Sequence, residues 1–330
     1  MNSNKMRDKL ISDEDITFVV QGPVRPETDH CLNSIRKYFP KSKIILSTWE
    51  NELIDNLIFD ELIMSKDPGS MDITIHNEIV AKENTNRQII STLSGLNKVK
   101  SEYCVKLRSD NIITSKNFLS LFFEAQNYSR DAKYSFLENR VLVSSVNTVD
   151  PRSFIGFVYQ VSDWFFFGKT RDVLNFWQQD IIENSEYYTN QSLVNYDKYR
   201  NGFNFGRFSA EQNITLGFLK KHYDFDCEHY RDHKKNNIDN TIKIILANFY
   251  CVEPKEIGFD FEKYSRFVKF NIRSFNDIKS YMGFWSTTIT KKLWIIYYKE
   301  LRNERKSFLE FLYVMSKRFV AHLLKIKSYS

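Results

Sequence analysis

Glycine and proline are scarce, 10 and 6 among 330 residues, which leaves no room for a long flexible linker or a low-complexity tract. Cysteine numbers only four, and Cys31, Cys104, Cys227 and Cys251 show no Cys-x-x-Cys spacing. They predict reduced thiols of a cytoplasmic protein, not a disulfide framework. Long apolar runs are missing too. The longest strongly apolar stretches, residues 164–167 and 293–298, are too short to cross a bilayer. The first sixteen residues are polar and mixed in charge, so no secretory signal is expected. No internal repeat is visible. What the chain does have is a 42% hydrophobic and 15% aromatic content, enough to exclude wholesale disorder and to bury a sizeable core.

The basic charge is confined to one end. Residues 291–330 carry ten Lys/Arg and three Glu, a net +7, so the preceding 290 residues sum to about −1 within the overall +6. That leaves little electrostatic case for nucleic acid as a partner.

The first 115 residues alternate strand and helix signals. Residues 16–20, 43–47 and 62–64 are short apolar runs of the kind that form buried parallel strands. Between the first two, Thr28 or Asp29 is placed to cap a helix that Pro40 ends. A further helix is expected over 85–99, then a strand running into Asp110. Strands are expected at 140–146 and 164–167, with a helix at 171–178. Ser209-Ala210-Glu211-Gln212 has the capping-box spacing of a helix start. Successive βα units predict an α/β fold with a Rossmann-like, mostly parallel sheet, helices on both faces and a helical, basic C-terminal extension. The expected division is 1–250 and 251–330.

Ligands of open α/β sheets sit at the carboxyl ends of strands. Three such ends stand out. Lys106-Leu107-Arg108-Ser109-Asp110 places a carboxylate beside two cations, as a diphosphate and its metal require. Gln21-Gly22-Pro23-Val24 is a turn with room for a base or ribose. Thr48 and Trp49 close the next strand with a hydroxyl and an aromatic plane. Arg87 lies in the first turn of a helix, where anions are favoured. An ordinary strand-end salt bridge, a β-turn, a rim tryptophan and a solvated arginine account for the same residues separately. Only their convergence favours a site for an activated, phosphorylated donor.

Two carboxylates are candidates for general base catalysis, Glu211 at a helix start and Asp163 before an apolar strand. Each is also a common structural acid, at a helix N-terminus or a turn. Cys227, His229 and His233 have the look of a metal cluster, but structural zinc needs four ligands and no second cluster is visible. Finally, Phe308, Leu312, Met315, Phe319, Leu323 and Ile326 share a helical face among basic residues, the pattern of a helix that lies on an anionic inner-membrane surface. A terminal helix docked on the core through that face is the competing reading.

Taken in order, Val19-Val20-Gln21-Gly22-Pro23-Val24, Ser34-Ile35-Arg36, Phe39-Pro40, Ile45-Leu46-Ser47-Thr48-Trp49, Asp67-Pro68-Gly69, Asn86-Arg87-Gln88, Lys106-Leu107-Arg108-Ser109-Asp110 and Asp163-Trp164-Phe165 form a pattern. The chain resembles the WavE family of bacterial lipopolysaccharide and surface-polysaccharide synthesis proteins over about residues 16–215. The resemblance implies a GT-A-like glycosyltransferase at the cytoplasmic face of the inner membrane. It would move a sugar from a nucleotide-sugar donor to a lipopolysaccharide, capsule or other lipid-linked glycan acceptor. It places Asp110 at the metal or diphosphate and Glu211 on the acceptor side. Many such enzymes hold Mn or Mg on Asp-x-Asp, and Arg108 stands here where the first Asp would be. Two alternatives remain: a sugar-phosphate or alditol-phosphate transferase of capsule assembly, or a non-catalytic adaptor of a polysaccharide assembly complex.

Overall fold

The structure is a computed structural model that describes residues 11–75, 78–153, 156–183, 207–261, 282–283 and 285–328. Its centre is a seven-stranded sheet of β1 (Ile16–Gln21), β2 (Lys43–Trp49), β3 (Glu61–Ser65), β6 (Tyr103–Arg108), β8 (Val141–Ser144), β9 (Phe165–Lys169) and β10 (Phe249–Val252). Their order across the sheet is β10-β8-β9-β6-β1-β2-β3. Every pairing is parallel except those of β9, which runs against both β6 and β8. Two small ribbons complete the strands: β4 (Met71–Ile75) with β5 (Glu78–Glu83), and β7 (Ile112–Ile113) with β11 (Phe259–Asp260).

The largely apolar sequences of β1 and β2 follow from burial on both faces. One face is aromatic. Phe18 of β1 meets Phe39 at 4.9 Å between ring centroids, and Phe118, at the start of α3 (Phe118–Gln126), packs against Phe165 and Phe167 of β9 at 5.6 and 4.7 Å. On the other face α2 (Thr85–Leu96) crosses β1 and β2 so closely that a Cβ on Gly95 would come within 2.5 Å of Val19 Cγ1. Beside it α4 (Thr170–Trp177) lies on β9, with Phe166 and Phe176 stacked at 5.0 Å.

Helix α1 (Pro26–Tyr38) starts earlier than the expected cap at Thr28 or Asp29. Proline at its first position has a preset φ, and Thr28 Oγ1 accepts from the Arg25 N–H at 2.9 Å, closing the turn. The capping box at Ser209 is present and opens α5 (Ala210–Leu219). Helix α6 (Lys235–Asn248) feeds into β10, so the expected boundary at residue 250 falls inside a strand of the central sheet. After α7 (Pro254–Ile257), the helical extension expected at the C-terminal end forms two helices, α8 (Lys291–Leu301) and α9 (Phe308–Ser328). Trp294 anchors α8 on the sheet edge, donating from Nε1 to the Phe249 carbonyl at 2.8 Å. Residues 187–208, dense in Tyr, Asn and Phe and expected from the sequence to form either an ordered loop over a site or an irregular aromatic core, lie, but for the last two, outside the described residues.

Candidate functional site

Sheet register brings Gln21, Ser47 and Arg108 side by side at the carboxyl ends of β1, β2 and β6. The turns beyond are tied together. Ser109 N–H donates to the Gln21 carbonyl at 2.9 Å, and Ser109 Oγ to the Pro23 carbonyl at 2.8 Å. Gly22 adopts φ +119° here, a conformation that favours glycine, and a Cβ on it would also crowd Ser109 Oγ at 3.2 Å. β9 starts at this same edge because it runs backwards, which delivers Asp163 from its N-terminal side.

A cavity of about 290 Å³ opens at this edge. Gln21, Gly22, Pro23, Trp49, Arg87, Arg108, Asp110 and Asp163 all line it, and so does Arg25, which the sequence reading did not single out. Val24, Thr48, Lys106 and Glu211 do not line it. Thr48 is wholly buried within β2, where its hydroxyl has no partner among the described residues.

Asp110 is held by two guanidiniums. Arg108 donates Nε to Oδ1 at 2.9 Å and Nη2 to Oδ2 at 2.8 Å, and Arg25 donates Nη1 to Oδ2 at 3.2 Å. Burial works to raise the Asp110 pKa, but Arg108 and then Arg25 outweigh it and hold the carboxyl below the usual range. Arg108 also lies over the Trp164 ring at 4.7 Å. Arg87 is engaged elsewhere in the same rim: it forks onto Asp67 at 2.7 and 2.6 Å, which lowers the Asp67 pKa.

Lys106 lies beneath the cavity. It is fully buried, over the Trp177 ring at 4.6 Å, and its ammonium donates to the Asp163 backbone carbonyl. Burial pulls its pKa down to about 7 against the attraction of Asp163. The Asp163 side chain is different. Both of its carboxylate oxygens are buried without a hydrogen-bond partner among the described residues, although the residue lines the cavity. Native buried polar atoms are almost always paired, so this carboxylate is suited to a donor that a ligand supplies. Glu211 sits in the first turn of α5, accepting from Asn147 Nδ2 at 2.7 Å. Burial first, then the negative charge of Asp163, push its carboxyl well above the ordinary value.

The residues present do not fit the expected divalent ion. The oxygens of Asp110 that would bind it already face two arginines, and no group of three metal-binding side chains occurs among the described residues. That includes Cys227, His229 and His233: His233 Nε2 is 2.6 Å from the Gly156 carbonyl, and Cys227 Sγ donates to the His229 carbonyl. Arg25 was missed because its partner is 85 residues away. The available signal was a cation one turn past β1 and immediately before a helix-starting proline.

Fold and cavity together define an α/β protein with a polar, arginine-lined cavity at the carboxyl edge of a mostly parallel sheet. The chain belongs to the WavE lipopolysaccharide synthesis family, whose model matches residues 16–328. No curated protein matches it. A solved structure to which it is similar is 4-diphosphocytidyl-2C-methyl-D-erythritol synthase from Anaerococcus prevotii, at 8% identity over 63% of this chain and 97% of that chain, with a TM-score of 0.28.

Proposed function

We propose that this chain is a GT-A-like glycosyltransferase that passes a sugar from a nucleoside-diphosphate donor to a lipid-linked or lipopolysaccharide-type glycan acceptor at the cytoplasmic face of the inner membrane. One observation carries the reading: a single cavity is lined by Arg25 and Arg108, which hold Asp110, and by Asp163, whose buried carboxylate has no hydrogen-bond partner among the described residues. Family membership supports the glycan context.

In this reading Arg25 and Arg108 hold the donor diphosphate, with the turn Gln21-Gly22-Pro23 and the Trp49 ring beside the nucleoside. The acceptor hydroxyl oxygen attacks the anomeric carbon. The bond from that carbon to the diphosphate oxygen breaks, and its electron pair leaves with the diphosphate. Asp163 takes the hydroxyl proton, while the arginines stabilise the charge that develops on the leaving group. Asp163 is preferred to Glu211 as base because it lines the cavity. Glu211 stands behind it, already bonded to Asn147 and held toward its protonated form.

The test is a thermal-shift panel of nucleoside diphosphates and nucleotide sugars, followed by identification of the released nucleotide. Selective stabilisation by one base, with nucleoside diphosphate released, supports the reading. Release of a nucleoside monophosphate would replace it with a sugar-phosphate or alditol-phosphate transferase. No stabilisation of folded protein by any nucleotide would replace it with the adaptor.

A further inference from the structure

Helix α9 is oriented the opposite way to a core helix. Its inward face carries Val314, Lys317 and Ala321, and Lys317 is only 3% exposed. The Lys317 ammonium donates to the carbonyls of Trp285 and Thr288, and it lies over the Trp285 ring at 4.7 Å. The outward face is apolar. Phe308, Leu309, Phe311 and Phe319 are each more than half exposed, and Leu312, Met315 and Leu323 continue the stripe. Among the described residues, seven of the thirteen most exposed large apolar side chains lie on this one helix. Scattered exposed apolar residues need no explanation, but a continuous stripe does.

We infer that α9 is an interfacial anchor whose outward stripe inserts into the headgroup boundary of an anionic lipid bilayer. Charge decides the occupant. Exposed Arg305 and Arg318 flank the stripe within a tail of net +7. Beside it a cavity of about 200 Å³ is lined by Arg152, Arg318 and His322, with Asp150 also in its wall. Asp150 is itself satisfied, accepting from the Tyr297 hydroxyl at 2.9 Å. A second copy on this face would press two +7 tails together, whereas anionic headgroups neutralise them. The helix does not span: no helix of the described residues is long and apolar enough to cross a membrane. An apolar face with a cationic flank is instead the pattern of a helix lying in the interface plane.

The experiment is co-sedimentation of the full chain with vesicles of phosphatidylcholine, with and without phosphatidylglycerol, free of any glycan. It does not rest on the transferase reading, which can fail separately. The expected result is binding to the anionic vesicles that weakens with added salt. Phe311→Ser with Phe319→Ser should reduce that binding by about tenfold or more. Both side chains point to solvent, so circular dichroism and thermal midpoint should be unchanged. Absence of binding by folded wild type, or equal binding by the double variant, overturns the anchor. So does a concentration-dependent dimer that the double variant abolishes, which would make the stripe an interface between copies.

Discussion

Arg25 and Asp110 meet at 3.2 Å across 85 residues of sequence, one standing before α1 and the other beyond β6. Arg108 holds the same carboxylate from its own strand end at 2.8 Å. The expected metal position is thus a cationic pair closed over a buried anion, and in the proposed transferase those two arginines supply the charge that neutralises the donor diphosphate.

Nucleotide binding should therefore survive removal of divalent ions. The thermal shift given by the preferred nucleoside diphosphate is expected to be the same in EDTA as in Mn²⁺. A shift that vanishes in EDTA would show that Asp110 exchanges its arginines for a metal.

Arg25→Ala and Arg108→Ala should each weaken that binding, since a charge-assisted hydrogen bond contributes about 1.5–3 kcal/mol, or roughly tenfold or more in affinity. Arg87→Ala should have a smaller effect because Arg87 forms a neutral pair with its own carboxylate, Asp67, whereas Arg25 and Arg108 share the single charge of Asp110 and keep a net positive charge for a ligand. Titration calorimetry on the three variants ranks them. An Arg87 effect as large as the other two would shift the diphosphate toward α2.

Asp163→Asn should lose transfer by about a hundredfold or more, as removal of a general base does. Donor affinity should be retained. Stability should change little, because the loss of a buried carboxylate without hydrogen bonds is offset by the loss of the charge that attracts the buried Lys106 ammonium. A variant that keeps full turnover would rule out Asp163 as the base and return attention to Glu211.

Lys106 sets a pH dependence. Its folded pKa is pulled from 10.5 to about 7, so above pH 7 the unfolded chain binds more protons there than the folded one. Stability should rise with pH from that group, by up to about 1.4 kcal/mol per unit. The window is best read between pH 7 and 9, below the ordinary thiol value of 9.0 at which the buried cysteines begin to oppose it. Urea unfolding of wild type and Lys106→Met across that window should differ in slope, with the variant flatter. Parallel curves would mean that Lys106 keeps its proton.

Gly95→Ala should destabilise the fold by about 1–3 kcal/mol, the range for forcing a methyl group into a packed contact. The added Cβ would meet Val19 Cγ1 at 2.5 Å and Ser47 Cβ at 3.1 Å. Urea midpoints measure it, and an unchanged midpoint would mean that α2 moves off the sheet easily.

Strands β1, β2 and β6 were legible to within a residue or two because burial on both faces keeps them largely apolar, broken only by Thr17 in β1 and Lys106 in β6 before the polar strand ends. The capping box at Ser209 was legible because its hydrogen bonds span three residues. The cavity edge followed from those strand ends, and eight of the residues read there line it. The start of α1 was misjudged because Thr28 is the third helical residue of a box that opens at Arg25, and its spacing alone fits either position.

Sequence by itself determined the period and burial of each element, and with them the strand ends at which the cavity opens. Those depend on interactions a few residues long. Tertiary structure alone decided which charges meet. Arg25 is drawn to Asp110 and Arg87 to Asp67, Lys106 is turned onto the Asp163 backbone carbonyl, and the Asp163 carboxylate is left without a hydrogen-bond partner among the described residues. It also decided that the apolar stripe of α9 faces outward while Lys317 faces in, since an amphipathic period is the same whichever side the body occupies. Such pairings span tens of residues, and only closure of the sheet sets the distances that choose among them.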